Sequence, residues 1–322
     1  MSWGKAYLST VMVVIVAAAH LLAAQTNPDP RLAEAFALER DGQTKQSIAA
    51  VQALLDSGSL NAPDTGKAWN ILALAYEDRG DFADAQRAYE RAIRTLEKLT
   101  NHIKDYAMAL DDFGGLYLAI GHADLAVRIK EKTLHLYKKI GDHEGTAIVC
   151  SDLAGLALSQ RRIRSGRKYL ELASREELLA SALDDDNLAA ISSMQGWLAQ
   201  LQGDLSGSLT SYQHSLSLWQ RRHGEEHAST GWGYILVGNI MAEMGQTASA
   251  LADMQRGLAI LDRTIGQQHP RYLTAEIAYS RLLERTEAHA EATQMKTTAE
   301  EALKTFYRDQ CENCTISAVA FH

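Results

Sequence analysis

Proline is scarce, four residues in 322, too few to break helices along most of the chain. Basic clusters are also missing: 32 Lys and Arg stand against 40 Asp and Glu, and no basic block occurs, so nucleic acid is excluded as a partner. No G-x-x-x-x-G-K-[ST] phosphate loop is present, and nothing calls for a cofactor. The cysteines number three. Cys150 lies in an apolar helical run and reads as a small core residue. Cys311 and Cys314 form a C-x-x-C close to the end, read as a disulfide, local or intermolecular. Only His322 is near enough to join them as a metal ligand, so zinc is not expected. Thr315 stands where c-type haem attachment needs histidine, and no βαβ context suggests a thioredoxin-like site.

Against that background, an apolar content of 46% excludes disorder. Its longest run opens at Val11 and reaches Ala24, preceded by Lys5 and followed by the polar, Pro-containing segment Gln25 to Pro30. That order is a signal-peptide layout over residues 1–24, with Ala23-Ala24 at the cut. An uncleaved N-terminal anchor is the alternative, since the run approaches the length that spans a bilayer. No cysteine follows the run, so a lipid anchor is not indicated. The chain is expected to act in the periplasm or outside the cell.

From there on, one pattern repeats. Gly42, Gly80, Gly121, Arg161, Gly203, Gly245 and Thr286 follow one another at spacings of 38, 41, 40, 42, 42 and 41. A period in this range means stacked supersecondary units. In the clearest unit Trp69, Leu72 and Tyr76 fall at i, i+3 and i+7, one helix face, and Gly80 ends that helix. Ala85, Tyr89 and Ala92 form a second stripe. Small residues recur where the paired helices would touch: Ala35, Ala73, Gly114, Ala154, Gly196 and Gly238 in the first helices, then Ser47, Ala85, Ala126, Gly166, Ser208 and Ala250 in the second. In the seventh unit these positions hold Tyr279 and Glu291, as a terminal cap would.

Residues 66–93 resemble the tetratricopeptide repeat, W-x2-L-G-x2-Y, glycine, then A, F/Y and A, with Ala73 in place of the pattern's first glycine. The other units fit in the same register, from residue 31 to about 306. The period exceeds the 34 residues usual for the family. The extra length falls around Asn101, Gly141-Asp142, Asp184-Asp185, Gly224 and Gly266, as in the long-linker subclass found in kinesin light chains and bacterial exported proteins. The resemblance implies an all-α, right-handed superhelical solenoid of about seven antiparallel helix pairs over residues 25–307. A tail with the C-x-x-C occupies 308–322.

Three short motifs resemble catalytic signatures. His223-Gly-Glu-Glu226-His227 spells H-x-x-E-H, a zinc peptidase motif that needs both histidines on one helix face and a further ligand. Gly224 sits inside it, and Gly224 and His227 have counterparts at Gly266 and His269, where the motif is gone. It therefore reads as a link between units. Ser165-Gly-Arg-Lys168 matches S-x-x-K, but Gly166 is the helix-packing position of its unit. Gly231-Trp-Gly233 starts like a dinucleotide fingerprint and then has leucine at 236 with no preceding strand. Arg161-Arg162-Ile-Arg164 and Asp184-Asp185-Asp186 read as solvated loop charge.

In the family the first helices line a concave groove, and the register carries that role to Asn70, Leu74 and Glu77; Asp111, Gly115 and Leu118; Ser151, Gly155 and Leu158; Ser193, Trp197 and Gln200; Trp232, Ile235 and Asn239. Asparagine there can donate to and accept from a peptide backbone, and tryptophan supplies a large anchor. Packing between repeats is the other reading of Trp197 and Trp232. Lys and Arg are missing from these positions, which disfavours a ligand with a free acidic tail. The expected partner is a protein or peptide held at Asn70, Glu77, Asp111, Trp197, Trp232 and Asn239, with no catalytic or metal site. The alternatives are an envelope enzyme, through His223, Glu226 and His227 or through Cys311 and Cys314, and a self-assembling array. For the array, Ile316, Ala318 and Ala320 in the tail give a faint strand alternation.

Overall fold

A computed structural model describes residues 29–180, 183–285 and 289–310. Among these residues every regular element is a helix, and the helices form seven consecutive pairs. Unit 1 is α1 (Pro30–Arg40) and α2 (Thr44–Asp56); unit 2 is α3 (Ala62–Arg79) and α4 (Phe82–Leu96). Unit 3 is α5 (Ile103–Ala119) and α6 (Ala123–Ile140); unit 4 is α7 (His143–Ser159) and α8 (Ile163–Leu179). Unit 5 is α9 (Asp185–Leu201) and α10 (Leu205–His223); unit 6 is α11 (Ala228–Glu243) and α12 (Thr247–Ile265). Unit 7 is α13 (Pro270–Leu283) and α14 (His289–Gln310). The all-α repeat solenoid is the architecture expected. Among the described residues no helix is long and apolar enough to cross a membrane. The N-terminal apolar run, Thr286, Cys311 and Cys314 lie outside the described residues.

The recurring turn residue does one job. Gly80 has φ 83°, the left-handed conformation that lets its N–H and that of Asp81 bond back to Glu77 and Tyr76 as the helix ends. Arg161 takes the same place in unit 4 with φ 58°, a conformation that costs an L side chain about 1 kcal/mol or more. The recurring link residues do another job. Asn61, Asp142, Asp184, His227 and His269 each cap the first helix of the following unit, their side chains accepting from a backbone N–H at 2.8–3.2 Å. The links themselves are short, as between Ile140 and His143, so the added residues of the long repeat lengthen helices rather than loops.

Small residues set the distance within each pair. Ala35, Ala73, Ala154, Ala85, Ala126 and Ala250 are all fully buried, and so are Ser47 and Ser208. A Cβ on Gly238 would come within 2.5 Å of Met254 Cγ and 3.0 Å of the Ala250 carbonyl oxygen. Unit 7 departs from the rule as its sequence does: Tyr279 occupies the first position, Glu291 is exposed, and its neighbour Ala292 is buried instead. Aliphatic and aromatic side chains fill the layers between units; Trp69, for example, packs against three of these clusters and carries Arg91 over its ring at 4.5 Å.

The superhelix also touches itself. Arg40, at the end of α1, pairs with Asp184, the cap of α9, at 2.8 Å and with Asp186 in the first turn of α9 at 3.1 Å. Asp186 accepts from His223 at 2.5 Å, and the rings of His223 and His227 stack at 3.9 Å on the next link. Unit 2 makes a parallel contact with unit 7: Phe82 meets Phe306 of α14 edge-on at 5.6 Å, and Arg271 of α13 lies within electrostatic reach of Asp78. Asp184 to Asp186 are therefore not solvated loop charge, for Arg221 holds Asp185 while Arg40 takes the other two. The contacts close the concave face into a lumen.

Candidate functional site

Two regions line this lumen. The first is a groove of about 780 Å³ along α7, α9, α11 and α13. Ser193, Trp197, Gln200, Trp232, Ile235 and Asn239 all line it, together with Met194, Leu236 and Tyr212. Trp197 and Trp232 are each half-buried, one part of the ring set in the layers between units and the rest facing the groove. Each tryptophan therefore packs between units and lines the groove as well. Gln200 is spent on Glu243 and on the hydroxyl of Tyr212. Asn239 is half-buried, and its side chain makes no hydrogen bond to another described residue. Arg161, Arg281 and Arg285 also border the groove. The sequence register skipped them because they sit at the helix ends and turns, outside the positions it scores.

Acidic side chains make up the second region, in units 1 to 3. Asn70 is buried, and its amide nitrogen donates to Asp112 Oδ2 at 2.7 Å. Glu77 accepts from the Tyr89 hydroxyl at 3.0 Å. Burial pushes the Glu77 carboxyl up to about 8, with Asp78 and Asp112 adding repulsion. In the neighbouring unit Glu39 is pushed up to about 9, first by burial and then by Asp78 and Asp112. Asp112 is raised by burial as well, against the pull of Asn70 and Lys130. Asp111 lies apart from this surface: it is buried and tied to Lys130 Nζ at 2.8 Å, and Lys130 also binds Asp152. The register placed Asp111 in the groove; the residue joined to Asn70 is its neighbour Asp112. Glu39 and Asp78 come from the ends of α1 and α3 in successive units, and Glu39 stands one period before Glu77.

The catalytic look-alikes are occupied structurally. His223 ends α10, Gly224 breaks the helix with φ 80°, and His227 caps α11, so the two histidines do not share a helix face. Glu226 is gripped by both guanidinium arms of Arg263. Burial and the neighbouring His223 pull His227 down to about 4. Among the described residues no group of three His, Cys, Asp or Glu is arranged to hold a metal. Ser165 and Lys168 lie in α8, and Gly166 faces Leu158 and Ala154 of α7. Cys150 is fully buried and its thiol is pushed up to about 12 by that burial.

The sequence profile of the tetratricopeptide repeat matches residues 64–139 and 187–263. No curated protein matches the chain. Solved structures share its fold at low identity. The crystal structure of a Rap protein complexed with Competence and Sporulation Factor is 15% identical, with 88% of this chain and 96% of that one covered and a TM-score of 0.54. The apo form of RapI is 11% identical over 85% and 98%, at a TM-score of 0.61. The APC/C hetero-tetramer Cut9-Hcn1 is 14% identical, covering 92% of this chain and 52% of that one, at 0.62. These likenesses concern the fold.

Proposed function

The chain is a tetratricopeptide repeat protein, and from that premise we propose a non-catalytic scaffold that holds a segment of another protein in its lumen. One observation carries the reading: two half-buried tryptophans stand beside a groove of about 780 Å³ into which the unpaired amide of Asn239 projects. That volume suits a few side chains of an extended peptide. Trp197 and Trp232 would take apolar side chains, and Asn239 would bond one backbone unit. The Rap structures add support by analogy, since one holds Competence and Sporulation Factor and another holds the Phr* peptide. The layout of residues 1–24 favours a site of action outside the cytoplasm.

The test is crosslinking in cells with full-length protein, comparing wild type with Trp197→Ala plus Trp232→Ala by mass spectrometry. A discrete partner captured by the wild type and lost from the double variant supports groove binding. Capture unchanged by the substitutions refutes it. Cell fractionation tests export, and sequencing the N-terminus of the mature protein tests cleavage, since a start at Gln25 supports the cut and a start at residue 1 or 2 supports the uncleaved anchor.

A further inference from the structure

The groove beside Trp197 and Trp232 is cationic in an acidic protein. Its charged lining is Arg161, Arg281 and Arg285 against Glu243, while the whole chain carries −8. Glu243 already accepts from Gln200 at 2.5 Å, and Arg285 donates to a neutral group, the carbonyl of Ala242, at 3.1 Å. A cleft lined by one sign of charge, with low-dielectric walls, focuses its field on whatever enters. An independent observation singles out Arg161. In five other units the same turn position is a glycine in the left-handed region, namely Gly42, Gly80, Gly121, Gly203 and Gly245. Arg161 is the one non-glycine residue in that region among the described residues. Its turn makes the backbone bonds of a glycine turn: Arg161 N–H to Leu158 and Arg162 N–H to Ala157 match Gly80 to Glu77 and Asp81 to Tyr76. The turn therefore does not need the side chain. That side chain is exposed, borders the groove, and makes no hydrogen bond or ion pair with another described residue. Backbone strain kept where the local structure does not require it marks functional positions.

We infer that Arg161 is a ligand-binding residue, whose guanidinium pairs with the carboxylate of an Asp or Glu side chain on the segment held in the groove. The planar fork of a guanidinium fits a carboxylate with two parallel bonds. Arg281 and Arg285 add to the positive field from the end of α13. The bound segment is accordingly acidic beside the apolar residues that lie against Trp197 and Trp232, and poor in Lys and Arg. The inference rests on the peptide-binding reading above and adds to it the charge of the segment and the residue that reads it.

Immobilised full-length protein would be exposed to a library of random heptapeptides, acetylated and amidated so that every carboxylate is a side chain's, and the retained pool sequenced by mass spectrometry. For the wild type, Asp and Glu should be enriched on the order of ten-fold at one position, the effect of one charge-assisted hydrogen bond. Arg161→Gly should bring that enrichment close to the input composition while the melting temperature stays at or above that of the wild type, which separates lost binding from lost folding. Arg161→Gln, which keeps the strained turn and removes only the charge, should lose the enrichment equally. Arg164→Gln, the same change of charge at an exposed position of α8 outside the groove, should leave it intact. A retained pool with no excess of Asp or Glu overturns the inference and leaves the peptide-binding reading standing. An excess that survives Arg161→Gly, or that falls as far with Arg164→Gln, overturns the inference too. So does retention that needs a free C-terminus, since the carboxylate would then be a chain end. A wild type that retains no peptides at all overturns both readings.

Discussion

Adding one methyl group should have opposite effects at two mid-helix glycines of this chain. Gly238 on α11 is pressed against α12: a Cβ there would lie 2.5 Å from Met254 Cγ, 3.0 Å from the Ala250 oxygen and 3.3 Å from the Met254 nitrogen. Two of those atoms are backbone, so relief requires the helices to part. Overpacking of this kind costs about 2–3 kcal/mol. Alanine returns about 1 kcal/mol of helix propensity, leaving Gly238→Ala less stable by about 1–2 kcal/mol. Gly115 on α5 has nothing within 4 Å of its virtual Cβ, so Gly115→Ala keeps only the propensity gain and should stabilise by about 0.5–1 kcal/mol. Repeat proteins respond locally, so the natural readout is hydrogen exchange resolved by segment, with urea midpoints beside it. Gly238→Ala should speed exchange in α11 and α12, and Gly115→Ala should slow it in α5 and α6. A shift of the same sign for both variants would refute the close-packing argument.

Arg161→Gly should raise stability by about 0.5–1 kcal/mol, by relieving a non-glycine residue at φ 58°, as differential scanning calorimetry would show. No gain would mean that the arginine is held there by contacts worth as much as the strain. Arg40→Ala removes both ion pairs to the start of α9, so X-ray scattering should report a larger radius of gyration and hydrogen exchange a looser α1 and α2. An unchanged scattering profile would mean that the closure does not depend on this pair. The pH dependence has a defined sign. Glu77, raised to about 8, holds its proton more tightly when folded, so its contribution is complete below its ordinary value of 4.5 and is lost as pH rises through 8. Glu77→Gln should therefore match the wild-type melting temperature near pH 5 and exceed it at pH 9; a constant difference would contradict the assignment. His227 and His269, both lowered to about 4 by burial, act on the other side, their contribution being intact above 6.5 and lost as pH falls through 4.

How much of this was legible in the sequence depends on whether a residue serves a local or a long-range contact. Gly80, Ala73 and Ala85 answer to neighbours a few residues away, and their period exposed the helix pairs directly. The link residues His227 and His269 recurred for a reason equally local, the capping of α11 and α13. By contrast, Asp184 and Asp186 looked like loop charge because their partner Arg40 is about 145 residues away, beyond any periodic signal. Glu39, one period before Glu77, was within reach of the register but lies in the first unit, and Arg161, Arg281 and Arg285 reach the groove from helix ends. Choosing Asp111 over Asp112 was an error of one residue, about 100° around a helix, and it exchanged a buried ion pair for a lumen side chain.

A solenoid whose ends are free tolerates changes in its number of units, because each unit knows only its neighbours. This chain has given up that freedom. The turn of unit 1 is keyed to the start of unit 5, and the turn of unit 2 to unit 7. Duplicating or excising one middle unit would preserve every neighbour interface, yet it would swing Arg40 away from Asp184 and Phe82 away from Phe306. The repeat count is thus fixed by geometry, and descendants of this gene should vary in the faces of their units while holding the tally between Arg40 and Phe306 constant.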